Sequence, residues 1–312
     1  MSEVRVSHEY ERFWEEEGTR IIDCKSCGFI HVDPIPTKED LLDFYSKKYF
    51  TEVKPFRYEA VDEQFVAEKL GRIPKNGTYR GIYNRVSKLL PQGNAEPLSM
   101  LDIGCGNDLL SRFFANHNWQ ANVIEPNQDA AAYLRKFGIT VYERFADELK
   151  GIGLRDISFV NIQFVLEHIA NPIDLLTQVY EAMAPGGIIR VCVPNDFSAG
   201  QMAYQEYYQE KLRWVVRPDH INYFSFSSLS GLLRRCGFEE KYRTTNFPLE
   251  FLLLGGQNYY ADEDAKKLVN PFVKQFQQAF AKTGRWNKLT KLYESLAEIE
   301  MGRSVFMFAV KR

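Results

Sequence analysis

Leu101-Asp102-Ile103-Gly104-Cys105-Gly106 decides how this chain is read, together with the acid at Glu125. An apolar run from Pro97 to Ile103 ends in two glycines, and a helical pattern from Leu109 to Asn116 follows. A second apolar run, Ala121 to Ile124, then ends in Glu125. Strand, tight turn, helix, strand and acid form the unit that holds an adenosine-bearing cofactor at the carboxyl end of a parallel sheet. Gly104 and Gly106 let the backbone approach a ligand with no Cβ in the way. Glu125 is placed to accept hydrogen bonds from both hydroxyls of a ribose.

The charges near the glycines select among such cofactors. A dinucleotide site wants a third glycine and a helix N-terminus facing a pyrophosphate. Here Asn107 and Asp108 follow Gly106. An aspartate at that point repels a pyrophosphate, and Asp102 adds to the repulsion. A cationic cofactor without phosphate suits these carboxylates, and S-adenosylmethionine has that chemistry.

The stretch Leu101 to Gly106 resembles the first motif of the class I S-adenosylmethionine-dependent methyltransferases, and Val123-Ile124-Glu125-Pro126 resembles their acidic second strand. Phe159 to Ile169 (FVNIQFVLEHI) resembles the fourth strand and LEH turn of the small-molecule branch. Ala184-Pro185-Gly186-Gly187, continuing through Ile188 to Asn195, resembles the turn and fifth strand of that branch. The resemblance covers roughly residues 84 to 238. Asp108 departs from it, standing where the family usually has glycine or a longer loop.

The fold expected is α/β: a Rossmann-like, seven-stranded, mostly parallel sheet with helices on both faces and the last strand antiparallel. Strands are expected near 98–103, 121–125, 139–142, 157–163, 188–193, 238–245 and 304–310. Residues 1–75 read as an N-terminal extension and 76–312 as the methyltransferase domain. An aromatic lid spans 196–226, and a helical insertion at 246–302 carries helices over 262–282 and 286–299. A linker is expected around 71–77, followed by a helix from Thr78 to Leu90.

The chain has 312 residues, a net charge of −2, 45% hydrophobic and 26% charged residues, and five cysteines. That composition is ordinary for a globular protein. The charge balance argues against a dedicated nucleic-acid binder. No run approaches the ~20 apolar residues of a membrane span. The sparse cysteines and the acidic start (Glu15, Glu16, Glu17) point to a reducing, cytoplasmic location.

The resemblance implies the site residues. Asp102, Gly104, Cys105, Gly106, Glu125 and Pro126 would hold the cofactor's ribose and amino acid. Phe145 and Ala146 would clasp the adenine. Gln163, Phe164 and Val165 would line the methionine part. His168, in the LEH turn, and His220, in a stretch resembling the family's HxxxFS, are the catalytic candidates. Imidazole can take a proton near neutral pH as a hydroxyl attacks. Tyr204, Tyr208, Trp214, Arg217 and Tyr223 are the substrate candidates: rings to stack on an acceptor and a guanidinium to hold an anion.

Cys24-Lys25-Ser26-Cys27-Gly28 lies on a β-like stretch, Ile21 to Val32. Cys24 through Tyr49 resembles the second half of a small zinc-binding module that opens some sugar methyltransferases, but the first cysteine pair is absent. A closed structural zinc site needs four ligands. His8 and His31 are in reach along the chain, yet the stretch reads as a metal-free element. Thr37 can cap a helix over 38–45.

The expected function is O-methylation of a sugar or related small metabolite by in-line methyl transfer. Rival readings are a methyltransferase acting on a protein or lipid-linked glycan, a non-catalytic S-adenosylmethionine-binding protein, and a nicotinamide oxidoreductase. The oligomeric state is open.

Overall fold

Apolar runs separated by glycine- and asparagine-rich turns become strands, and the amphipathic stretches between them become helices. The computed structural model describes residues 8–37, 39–41, 61–91 and 97–312. These residues form two compact units. The first takes the described residues within Met1–Ile35, Cys192–Leu232 and Tyr242–Met307. The second takes the described residues within Pro36–Val191, Leu233–Lys241 and Phe308–Arg312.

The seven-stranded sheet contains β4 (Ser99–Ile103), β5 (Gln120–Ile124), β6 (Thr140–Tyr142), β7 (Ile157–Gln163), β8 (Met183–Pro194), β10 (Phe238–Thr244) and β11 (Ser304–Lys311). Its order is β10-β11-β8-β7-β4-β5-β6, mostly parallel with one antiparallel strand. This is the Rossmann-like sheet that the sequence predicts. β4 pairs in parallel with β5 and with β7, and β5 with β6. The carboxyl ends of these four strands therefore share one edge, and ligand sites in open parallel sheets gather there. Every residue of β7 but Gln163 is buried, as a strand covered on both faces requires.

Between the strands run α3 (Leu110–Ala115), α4 (Gln128–Lys136), the short α5 (Leu149–Ile152) and α6 (Pro172–Ala182). Asn127 caps α4 by accepting from the Ala130 amide, and Asn171 caps α6, which has Pro172 in its first turn. Ahead of the sheet come α1 (Glu63–Arg72) and α2 (Gly77–Leu89). The expected linker around 71–77 is thus largely structured. Gly71 lies in the last turn of α1, which ends at Arg72; a 3₁₀ turn spans Ile73–Lys75, and Asn76 caps α2.

The first unit contains a smaller sheet of β1 (Tyr10–Glu16), β2 (Thr19–Cys24), β3 (Phe29–Asp33) and β9 (Asn222–Tyr223), in that order. The single stretch expected over Ile21–Val32 is an antiparallel hairpin, because Cys24–Gly28 forms its turn. β9 comes from the 196–226 segment and pairs antiparallel with β3, His31 opposite Asn222. The helices of this unit are α7 (Ala199–Tyr208), α9 (Glu250–Leu254), α10 (Glu263–Lys282) and α11 (Trp286–Glu298); α8 (Phe226–Arg235) precedes β10. Asp262 caps α10 through the amides of Asp264 and Ala265. Thr37 forms its expected cap with the Asp40 amide, but most of the helix expected over 38–45 lies outside the described residues. Among the described residues no helix is long and apolar enough to cross a membrane.

Candidate active site

In the second unit the glycine loop is tied to the acid one βα unit away. Glu125 is 3% exposed; its Oε2 accepts from the Gly106 amide at 2.8 Å and its Oε1 from the Asn127 amide at 3.0 Å. Burial raises the Glu125 pKa, opposed by these two amides. Each carboxylate oxygen keeps further acceptor capacity beyond the amide it already binds. Gly104 has φ +66°, and a Cβ there would lie 2.6 Å from Val165 Cγ2. Glycine at 104 thus lets the loop close on the end of β7. A Cβ at Gly106, in contrast, would meet nothing within 4 Å.

Asp102, 1% exposed at the end of β4, accepts from Asn161 Nδ2 at 2.7 Å through Oδ1. Its Oδ2 is buried with no hydrogen-bond partner. Asn161 Oδ1 in turn accepts from Arg190 Nη1 at 2.6 Å, and the same nitrogen donates to Gln163 Oε1 at 2.9 Å. Burial, then the Asp108 charge, push the Asp102 carboxyl up to about 8, while Asn161 and Arg190 pull the other way. The same three acids, Asp102, Glu125 and Asp108, add to burial in raising the Cys105 thiol. The loop is a concentrated patch of carboxylates on buried ground, a setting for a cation.

Asp108 is accommodated by the loop. Its Oδ1 accepts from the Leu110 amide at 2.8 Å, and its own amide donates to the Cys105 carbonyl at 2.9 Å. A carboxylate at the opening of α3 also complements the helix dipole. Tyr79 of α2 sits beside this loop, its hydroxyl accepting from the Leu109 amide at 3.2 Å. Tyr79, Asn161 and Arg190 escaped the sequence reading. A buried arginine and asparagine on apolar strands were the signal available, since such residues need polar partners.

The remaining candidates of this unit follow neighbouring strands. Pro126 follows Glu125, and Phe145 precedes the 3₁₀ turn Ala146–Glu148 after β6, with Ala146 buried. Phe164 takes φ +54° immediately after β7, an unusual conformation for an aromatic residue, with Val165 next to it against Gly104. His168 closes the 3₁₀ turn Leu166–His168, its Nε2 3.8 Å from Glu167 Oε1.

The other candidates belong to the first unit. His220 Nδ1 stands 3.9 Å from Asp196 Oδ2, and the His220 carbonyl accepts from the Tyr223 hydroxyl at 3.2 Å. Asp196 is buried, accepts from Gln201 Nε2 at 3.0 Å and lies 3.7 Å from Arg303. Burial pushes its carboxyl up to about 6, against the Arg303 charge. Tyr204, Trp214 and Tyr223 are 1–2% exposed. Phe197 packs edge-on against Trp214 and Tyr223, so much of that aromatic face serves the core. Even so, the Tyr204 hydroxyl and the Trp214 indole N–H are buried without hydrogen-bond partners. Tyr208 is exposed, and Arg217 donates to the Glu17 carbonyl at 3.1 Å.

Comparison with known proteins identifies the domain that carries this loop. The family model described as a methyltransferase domain matches residues 76–240, more than half of the chain. A ubiquinone biosynthesis O-methyltransferase of Caulobacter vibrioides is 29% identical over 131 residues, covering 40% of this chain and 52% of that protein. Its counterpart in Agrobacterium fabrum is 27% identical over 172 residues, covering 53% and 62%. The chain thus spans little more than half the length of these curated relatives. In fold it is similar to the Haemonchus contortus Phospholethanolamine N-methyltransferase 2, at TM-score 0.50 and 15% identity over 96% of this chain and 71% of that one. With the acid-bound glycine loop lying inside the matched region, the chain belongs to the methyltransferase-domain family.

Proposed function

We propose that this protein is an S-adenosylmethionine-dependent methyltransferase acting on a hydroxyl oxygen of a small-molecule acceptor. The observation that carries the reading is the three-acid loop, with Asp102 Oδ2 buried and unpartnered and Glu125 held by two amides. Glu125 would accept from the ribose hydroxyls, and Asp102 would face the ammonium of the methionine part. Phe145 and Ala146 would enclose the adenine, with Gln163, Phe164 and Val165 along the methionine chain. When bound, the cofactor supplies an electrophilic methyl group on a cationic sulfur. No pyrophosphate suits this loop, which speaks against the nicotinamide reading.

The chain's own contribution is positioning, exclusion of water and removal of one proton. His220, with the buried Asp196 behind its Nδ1, is the proposed base for the acceptor hydroxyl; His168, beside Glu167, is the alternative. The unpartnered donors of Tyr204 and Trp214 are proposed to meet acceptor oxygens, with Tyr208, Arg217 and Tyr223 completing the substrate side. O-methylation is the transfer carried in the names of the relatives above. A sugar or related metabolite is the proposed acceptor class, with a protein or lipid-linked glycan as its rival in the assay.

Calorimetric titration with S-adenosylmethionine, S-adenosylhomocysteine and NADH tests the cofactor. Binding of the first two alone, lost in Glu125→Ala, is expected; binding of NADH alone would overturn the reading. Incubation with labelled S-adenosylmethionine and panels of sugars, phenols and proteins then separates the acceptors. Cofactor binding without methyl transfer to any of them would favour a non-catalytic role.

A further inference from the structure

The turn between β2 and β3 gathers donors that the methyl-transfer site does not use. His8, Cys24, Cys27 and His31 each bring one ligand atom to a cluster in which all four atoms lie within 4.8 Å of one another. His8 Nδ1 is 3.2 Å from Cys24 Sγ and 3.4 Å from Cys27 Sγ. Ligands around a tetrahedral zinc ion stand about 3.3–3.8 Å apart, given bonds of about 2.0–2.3 Å. His8 thus stands at nearly that spacing from both sulfurs. The metal-free reading of the sequence rested on the want of a second ligand pair, and the fold supplies that pair from two histidines.

Three details orient the donors. The Cys27 amide donates to Cys24 Sγ at 3.3 Å, a bond that favours the thiolate a metal needs. His31 Nδ1 is 2.8 Å from the Val32 carbonyl, so it carries the proton and leaves Nε2 as the available lone pair. That Nε2 is buried without a hydrogen-bond partner, on a side chain only 1% exposed. A buried ring nitrogen beside two sulfurs, its other nitrogen held by a backbone carbonyl, is how a metal-binding histidine is built.

We infer that His8, Cys24, Cys27 and His31 form a closed, tetrahedral site for a structural zinc ion. Two thiolates and two imidazoles select a borderline-soft cation over calcium or magnesium. Four protein ligands leave no position for substrate. The ion joins the start of the described chain to both strands of the hairpin. It thereby fixes β3, whose His31 and Ile30 pair with Asn222 and Tyr223 of β9, beside the proposed base His220.

The test is the metal content of the full-length protein after reconstitution with zinc chloride and gel filtration. About one equivalent is expected, falling to below about a tenth in Cys24→Ser and His31→Ala and unchanged in Cys236→Ser. Should the variants fail to fold, two measurements on the unaltered protein stand in. Cobalt substitution should give the intense visible spectrum of a tetrahedral dithiolate site, and mercurial capping of thiols should release the zinc. A chelator should also shift the emission of Trp14 and Trp214, which flank Phe197. Absence of bound zinc, an octahedral cobalt spectrum, or full zinc retention by both ligand variants would overturn the site.

Discussion

The glycine loop and the Cys24–Gly28 turn use one device on different ligands. In each, a backbone amide points at a side-chain acceptor: Gly106 to Glu125 at 2.8 Å, Cys27 to Cys24 Sγ at 3.3 Å. They differ in where their other parts come from. The loop draws on strand ends that follow in chain order, β4 and β5 above all, so spacing along the chain reports its geometry. The cysteine turn depends on His8, ahead of β1, and on His31, across a hairpin; both stand out as histidines in the sequence, but nothing in their spacing shows that they converge on the cysteines. A motif is legible when its parts repeat the order of the fold, and hidden when pairing of strands assembles it.

The largest expected effect tests the first half of that contrast. Glu125→Ala should weaken S-adenosylmethionine binding by about 2–4 kcal/mol, roughly 30- to 1000-fold in Kd, since charge-assisted hydrogen bonds are the strong ones. If calorimetry finds less than a threefold change, Glu125 does not hold the ribose. Gly104→Ala comes next. With Val165 Cγ2 only 2.6 Å from the new Cβ and φ at +66°, a loss of about 1–3 kcal/mol of stability is expected in urea unfolding. Gly106→Ala, where the Cβ meets no atom but φ is +58°, should cost less.

Asp102 gives a finer test through pH. Its folded pKa, about 8, lies above its ordinary value of 3.8, so the folded state holds the proton more tightly than the unfolded state. Its contribution is therefore fully present below pH 4 and is lost as pH rises toward 8. Asp102→Asn should gain stability relative to the unaltered protein across that window, as paired urea titrations would show. A bound cation reverses the preference. S-adenosylmethionine binding near pH 7 should release a proton, visible as buffer-dependent heat and absent in Asp102→Asn.

The smallest effect is expected at Arg217, exposed and bonded to the Glu17 carbonyl. Arg217→Ala should change stability by less than about 0.5 kcal/mol. A marked rise in KM for an anionic acceptor, with kcat preserved, would place it in substrate binding.

Most strand ends fall within a residue or two of where the sequence puts them, because buried parallel strands are continuous apolar runs closed by turn residues. β8 was the exception: it begins at Met183, ahead of the Gly186-Gly187 turn expected to precede it, and the glycines lie within the strand. Helices α10 and α11 were also legible from their periodicity and from Asp262. β1 and β9 were not, since β1 is largely exposed and β9 spans two residues, so neither carries a hydrophobic signature. The aromatic residues of 196–226 are visible as a group. The burial of Tyr204, Trp214 and Tyr223 is not, because a ring packed edge-on against a neighbour and a ring facing a ligand have the same composition.

Asn195 closes β8's run into the first unit by donating to the Glu300 and Gly302 carbonyls at 3.0 and 2.9 Å. Thr245 Oγ1 donates to the Ser304 carbonyl at 2.7 Å nearby in sequence. The helices between residues 246 and 302 thus begin and end at a fastened neck. For a loop so fastened, closure entropy rises by only about 0.6 kcal/mol with each doubling of length. The number of residues between the two ends of that neck is therefore a weak lever on stability, and what holds the stretch in place is the burial of Leu253, Leu289 and Ala297.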